Sequence, residues 1–379
     1  MKVAILTTDN REPYRQYDNP VPWFGTAPEA LLQGFAHLPD VEVHVVTCCQ
    51  RPMKSSPEKL APNIRFYSLP VAKMGWGRTF YAGCVLACRK KLREIQPDIV
   101  HGQGTERDCA VSAIYSGFPN VLTIHGNMRL VAKVDKALYW KFAAALERFA
   151  IPRSAGVVCI SNYTREAVSG LARKTWVWPN AVDETFFAIK NLPERPPLIL
   201  CVGFIGRRKN QNAFIRALDP LAAKLRFKVL FAGAFAPGKP ASAEFFELLK
   251  TRAWCEHVGF IDRASLKTFL RRASLVALPS IEDNCPMTVL EGAAAGVPVI
   301  ASAVGGVPDL VEDGKTGLLF DPYQPEQMRA ATEKILTQPA LAAALAAEAH
   351  RQARLRFYPE VVARKHLEIY EEVLRTASR

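Results

Sequence analysis

No run of about 18 apolar residues occurs anywhere in this chain, so no membrane-spanning helix is expected. The opening apolar stretch, MKVAILTTDN, reaches Asp9 too soon to form a signal-peptide core, and an exported protein is not expected by that route. There is no CxxC pair among the nine cysteines, and their odd count and irregular spacing suit neither a disulfide framework nor a zinc site. They read as reduced thiols of a cytoplasmic protein. Biased segments long enough to argue disorder are absent too, as is a basic tail that would concentrate the net charge of +13. What remains is the composition of a globular enzyme, 49% hydrophobic and 22% charged, with a spread positive charge that suits an anionic ligand or surface without choosing one.

At 379 residues the chain is long enough for two domains. KVAILTT, VEVHVVT, PDIVHGQ, NVLTIHG, GVVCIS and TWVWPN read as short strands, with helical segments between most of them, including one near TFYAGCVLACRKKLREI. The rhythm restarts at LILCVGF and continues through FKVLFAG, WCEHVGF, SLVALPS and GVPVIAS. Strands separated by helices of ten or more residues imply parallel βαβ units. Between the two series, ETFFAIKNLPERPPL carries three prolines and reads as a linker over residues 184–197. The expectation is an α/β architecture of two doubly wound, Rossmann-like domains facing a central cleft: residues 1–184, then 198–355, with residues 356–379 forming a last helix that packs back on the first domain. Ligands of such sheets sit at the carboxyl ends of the strands. Nicotinamide chemistry has little support, because no GxGxxG turn follows the first strand and VGFIGRRKN holds only two of the glycines.

The most informative stretch runs from Pro279 to Pro322, PSIEDNCPMTVLEGAAAGVPVIASAVGGVPDLVEDGKTGLLFDP. A strand ending at Pro279, a loop holding Glu282 and Asp283, and a helix starting near Pro286 would aim the N–H groups of Met287 and Thr288 at an anion. Glu291, about one and a half turns in, would offer two acceptor oxygens to vicinal ribose hydroxyls.

On these residues the chain resembles the family-four retaining glycosyltransferases of the GT-B fold, the glycosyl transferases group 1. The two carboxylates eight positions apart fall on Asp283 and Glu291, followed by GAAAGVPVIAS and the pair Gly305 and Gly306; DIVHGQG, TIHGN, CISNYTREA, WPNAVDETFF and VGFIGRRKNQ follow in the family's order. The resemblance implies transfer of a sugar from a nucleotide diphosphate donor, with Lys209 on the diphosphate, Glu291 on the ribose, Asp283 against the transferred sugar and His125 lining that sugar. Taken with the helix-start reading and with Arg208 as the candidate second cation, it places the donor among Gly25, Gly203, Arg208, Lys209, Asn284, Cys285, Met287, Thr288 and Glu291. Since fixed cations and a helix start can replace a metal, no metal and no cofactor beyond the donor substrate are expected.

Three departures stand out. Asp283 replaces the family's usual Glu, Pro286 a common Gly, and Phe204 an Arg that helps bind the diphosphate. The family's N-terminal Gly-Gly pair is reduced to Gly25 in PWFGTAPEAL. Arg208 is the candidate to supply the missing charge, with Arg207 its competitor. Plainer readings stand beside these: Lys209 as a solvated lysine at a helix start, Glu291 as a surface salt-bridge partner, His125 as a satisfied core histidine. A lysine at a helix start is opposed by the helix dipole unless an anion is near, which favours the functional reading. His101 reads as structural support.

The acceptor is read as a glycan or a lipid-linked, cell-envelope polysaccharide precursor. Arg89, Lys90, Lys91 and Arg93, with KVDKALYWKFAAALER, are a candidate surface for peripheral contact with an anionic membrane at its inner face. Nucleic acid is not an expected partner. A nucleotide-sugar epimerase on the same fold and a non-catalytic nucleotide-sugar-binding protein remain alternatives.

Overall fold

Short β-branched runs, each too short to bury itself alone, are stacked here into two parallel sheets by the helices that follow them. A computed structural model describes residues 1–134 and 137–377; Asp135 and Lys136, within the candidate membrane-facing segment, and the last two residues of the expected C-terminal helix lie outside the described residues. The chain divides into two units, Met1–Asp183 with Tyr358–Arg379, and Glu184–Phe357.

The first unit contains β1 (Lys2–Leu6), α1 (Thr26–Ala36), β2 (Glu42–Cys49), β3 (Lys59–Ala61), β4 (Ile64–Pro70), α2 (Ala82–Ile95), β5 (Ile99–Gln103), α3 (Asp108–Ile114), β6 (Asn120–Ile124), α4 (Met128–Val134), α5 (Leu138–Ala150), β7 (Val157–Cys159), α6 (Asn162–Val168) and β8 (Thr175–Val177). Its sheet runs β3-β4-β2-β1-β5-β6-β7-β8, parallel except for the β3–β4 pair. The order reverses between β1 and β5, the position where a doubly wound sheet opens a crevice. β4 is not among the runs read as strands. NIRFYSLP alternates polar and apolar residues, a strand signal masked by the prolines that flank it, and it pairs in parallel register with β2, Val43 opposite Ile64 through Cys49 opposite Pro70.

The second unit contains β9 (Leu198–Val202), α7 (Gln211–Ala222), β10 (Lys228–Ala232), α8 (Pro240–Lys250), β11 (Cys255–His257), α9 (Arg263–Arg272), β12 (Leu275–Leu278), α10 (Met287–Ala294), β13 (Val299–Ser302), β14 (Leu318–Phe320), α11 (Pro325–Thr337) and α12 (Pro339–Arg356). The sheet order β11-β10-β9-β12-β13-β14 is parallel throughout and reverses between β9 and β12. The proline-rich segment 184–197 is not a bare tether. Phe186 and Phe187 are buried in this unit, and Asn191 Nδ2 donates to the carbonyls of Leu270 and Ala273, each at 2.9 Å.

α13 (Pro359–Ala377) packs on α1 of the first unit. The approach is so close at Gly34 that a Cβ there would sit 2.1 Å from the Pro359 carbonyl oxygen, a space only glycine leaves. Among the described residues no helix is long and apolar enough to cross a membrane.

Candidate functional site

The reversal point of the second sheet gathers most of the expected residues. After β9 the chain passes Gly203, turns through a short 3₁₀ segment at Arg207–Lys209 and enters α7; after β12 it passes Ser280 and the acidic pair and enters α10. Gln211, buried at the start of α7, donates from Nε2 to the Phe204 carbonyl at 3.1 Å and accepts from the Gly206 N–H at 3.3 Å, which fixes the first loop. The second loop is tied to it where the Ile281 N–H donates to the Arg208 carbonyl at 2.8 Å. A third loop closes on both: Gly305, at φ +54°, would place a Cβ 2.0 Å from the Asp283 carbonyl oxygen, and Gly306 N–H donates to that same oxygen at 3.0 Å.

Lys209 Nζ donates to Asp283 Oδ2 at 2.6 Å, and the two side chains are only 14% and 10% exposed. Ser280 Oγ donates to the same carboxylate oxygen at 3.0 Å. Arg208 lies alongside, its Nη1 donating to the Glu282 carbonyl at 3.0 Å and standing 3.6 Å from both the Glu282 carboxylate and Asp283 Oδ1. Arg207 is exposed and makes no ion pair among the described residues. The anion that the helix dipole demands beside Lys209 is thus present within the chain as Asp283, so the dipole alone does not call for a ligand. Lys209 and Arg208 nonetheless converge on Asp283, with Glu282 as a second carboxylate beside Arg208, so the loop pair holds two cations and two anions.

α10 begins one residue later than a proline-first helix would: Pro286 is its N-cap, φ −67° and ψ 113°, and Met287 its first residue. Val289 N–H donates back to the Pro286 carbonyl at 3.1 Å, while the N–H groups of Met287 and Thr288 donate to no backbone acceptor among the described residues. Asn284 and Cys285 stand in the turn before it. Glu291, 4% exposed, sits on the same helix. Thr288 Oγ1 lies 3.5 Å from the last carbonyl of β9, at Val202, so the helix start is anchored over the strand that carries Gly203.

The first unit carries His125 just beyond β6. Its Nε2 is the donor to Gln103 Oε1 at 2.7 Å, and Asn180 bonds the same ring. Burial first, then His366, push its pKa down to about 4, so the ring is neutral near pH 7. Behind it, His101 is fully buried, with Nδ1 2.6 Å from Tyr370 Oη of α13 and Nε2 2.7 Å from Thr123 Oγ1; burial holds its pKa well below the usual value. Gly25 is the N-cap of α1 at φ −67°, and a Cβ there meets nothing closer than Pro28 at 3.5 Å, so its own unit does not require glycine.

Several structural roles escape sequence reading. Glu147, buried on α5, accepts from Thr105 Oγ1 and the Met128 N–H, both at 2.9 Å, and so ties the loops after β5 and β6 together. Asp9 and Arg11 form a fully buried pair at 2.7 Å in the loop after β1. Ser280 and Gln211 lie inside the quoted stretches PSIEDNCPMTVLEG and VGFIGRRKNQ, but no role was read for either. Cys48 Sγ lies 3.6 Å from Cys88 Sγ, and the ligand atoms of Cys48, Cys84 and Asp108 fall within 4.8 Å of one another, all buried. Their sequence spacing carries none of this, since three separate elements bring them together; all nine cysteines are free thiols.

Comparison with known proteins adds identity to this geometry. Residues 182–352 match the family model described as glycosyl transferases group 1, and residues 29–186 the model described as glycosyltransferase family 4. D-inositol 3-phosphate glycosyltransferase of Rhodococcus opacus is 33% identical over 174 residues, which are 44% of this chain and 39% of that protein. Among solved structures, sucrose-phosphate synthase of Thermosynechococcus elongatus superposes with a TM-score of 0.75 at 19% identity, covering 99% of this chain and all of that one. Anabaena HepE in complex with UDP gives a TM-score of 0.70 at 17% identity, over 98% and 100% of the two chains.

Proposed function

Because the chain belongs to the family-four, group 1 glycosyltransferases and has their GT-B fold, we propose that it transfers a hexosyl group from a nucleotide diphosphate sugar to an acceptor hydroxyl with retention of configuration. The observation that carries this reading is the convergence of Lys209 and Arg208 on Asp283 at the reversal point of the second sheet, beside the start of α10. The diphosphate takes the two cations and the N–H groups of Met287 and Thr288. Glu291 accepts hydrogen bonds from the ribose, and Gly203 leaves room for the donor near the first loop. Asp283 and the neutral His125 ring serve the sugar, with Asn284, Cys285 and Gly25 completing the donor contacts.

In the step itself the bond from the sugar's anomeric carbon to the diphosphate breaks, and its electron pair leaves with the phosphate. The acceptor oxygen bonds the same carbon from the same face, and its proton passes to the departing phosphate oxygen. Preorganised cations favour this step because negative charge grows on the diphosphate as it leaves. No metal or further cofactor enters this reading.

For the acceptor we infer a lipid-linked or cell-envelope glycan precursor reached by peripheral contact with an anionic membrane. Support comes from the exposed Arg89, Lys90 and Arg93 of α2 and the exposed Leu138 and Tyr139 of α5. HepE's bound UDP makes uridine donors the first to screen by thermal shift. Glu291→Ala tests the donor site: losing a charged hydrogen bond worth about 1.5–3 kcal/mol should weaken donor binding about tenfold or more in calorimetry. Unchanged affinity rejects the ribose assignment, and product with inverted configuration by NMR rejects retention.

A further inference from the structure

On the helical face of the first unit lies an apolar groove that donor chemistry does not use. Its volume is about 670 Å³, and its walls come from α2, α3 and α5, with Val85, Leu86, Val111, Leu146 and Phe149 prominent and Phe80 at the N-terminal end of α2. Phe80 is 64% exposed and Leu86 68%. α2 explains the arrangement by its period: Cys84, Cys88, Leu92 and Ile95 form its buried stripe, which leaves Leu86 on a different face with Arg89, Lys90 and Arg93 a turn or two further on. A groove of drug-like volume lined by large exposed apolar side chains marks a binding surface rather than ordinary scatter.

The charge beside it is unneutralised. Leu86 also lines a depression of about 360 Å³ whose other residues are Arg89, Lys90, Arg93 and Glu94. Glu94 is engaged by Lys91, whereas Arg89, Lys90 and Arg93 make no ion pair among the described residues. On the α5 side Arg153 stacks over the Phe149 ring at 3.9 Å and likewise makes no ion pair among the described residues. Apolar walls bordered by free cations on both sides select an amphiphile, with a hydrocarbon chain in the groove and an anionic head on the arginines and lysine.

We propose that this groove binds the hydrocarbon chain of a phosphate-bearing lipid that anchors the acceptor; the inference rests on the lipid-linked reading of the acceptor given above. The occupant is thus one amphiphilic molecule, and the membrane surface is the source from which it is drawn.

The test uses the full chain and dodecyl phosphate kept below its micelle concentration, followed by calorimetry. Saturable binding is expected, weakened at least about tenfold by Leu86→Glu, whose exposed position spares the fold, and similarly by the triple reversal Arg89→Glu, Lys90→Glu and Arg93→Glu. Inorganic phosphate alone should not bind measurably at the same concentrations. Phosphatidylcholine vesicles with and without phosphatidylglycerol separate the sources. Partition onto anionic vesicles without saturable dodecyl phosphate binding assigns the cations to a bare membrane surface and overturns the groove's occupancy. Self-association abolished by Leu86→Glu, with no lipid bound, overturns it in favour of a second copy of the chain. Thermal shift with UDP-sugars on the same samples reads the donor assignment separately: absent donor binding with intact lipid binding sinks the transferase reading alone, and the reverse sinks the groove alone.

Discussion

At the carboxyl end of its sheet the first unit holds His101, Gln103 and His125 as neutral, hydrogen-bonded groups, whereas the second holds Lys209 against Asp283 as two opposite charges. Both arrangements remove polar side chains from water, but they do so by different physics. The histidines are kept neutral by burial, so their cost is deferred until acid forces a charge into a dry site. The lysine and aspartate are each desolvated and stabilised mainly by the other, so the cost falls due when either partner is removed. The first unit's histidine cluster is therefore vulnerable to protons, whereas the ion pairs, Lys209–Asp283 in the second unit and the buried Asp9–Arg11 in the first, are vulnerable to substitution.

The sharpest way to break this contrast is Lys209→Ala. It leaves Asp283, 10% exposed, with only Ser280 and Arg208 as partners, and a loss of up to about 3 kcal/mol is expected in denaturant unfolding of the second unit, together with loss of transfer. Lys209→Met combined with Asp283→Leu should regain stability and not turnover; a single variant as stable as the parent would show that the pair is solvated.

Acid probes the other side. His125 and His366 have their pKa values pushed from 6.5 to about 4, chiefly by burial. The unfolded chain therefore binds more protons below pH 6.5, and the stability these groups contribute is complete above that pH and lost as pH falls towards 4. For the well-buried His366 the loss amounts to at most about 3 kcal/mol. Hydrogen exchange across this range should show β5 and β6 losing protection before β9 and β12, and His366→Leu should flatten the dependence. Simultaneous loss in both units would remove the distinction.

A smaller effect sharpens the assignment of charge within the second unit. Arg208→Ala should lower turnover about ten to a hundredfold, which corresponds to roughly 1.4–2.7 kcal/mol of transition-state stabilisation. Arg207→Ala, which removes a side chain without an ion pair among the described residues, should do much less. Equal turnover in both variants and the parent would mean that Lys209 manages the diphosphate with the helix start alone. Smallest of all, EDTA should leave transfer unchanged if cations and N–H groups hold the diphosphate; loss of turnover restored by magnesium or manganese rejects that.

Much of the fold was legible because period and spacing are local properties. Runs such as LILCVGF and SLVALPS fell on β9 and β12, and the two series of strands gave two parallel-sheet units. β4 escaped because Pro62 and Pro70 bracket a short run whose alternation, itself a strand signal, went unread until its pairing with β2 showed it. The segment 184–197 was read as a linker from its prolines, yet its phenylalanines supply core to the second unit. For the candidate site, sequence motifs located the loops but not their wiring. Lys209 and Asp283 were assigned separately to diphosphate and sugar, and their direct contact spans 74 positions of sequence. The resemblance places His125 against the donor sugar; its neutral state comes first from burial and then from His366, which no motif names and which lies far along the chain on α13.

By itself, then, the sequence determined the alternation of strands and helices, the absence of a long apolar span and the family, since each is written in composition, period or a contiguous motif. Only the tertiary structure decided which loops meet at each sheet's reversal point, that Cys48, Cys84 and Asp108 share one buried spot, and that Leu86 and Phe149 border the same groove. The physical reason is that a parallel sheet pairs strands through long crossovers, so its neighbours are chosen by packing of whole layers and not by residues adjacent in the chain.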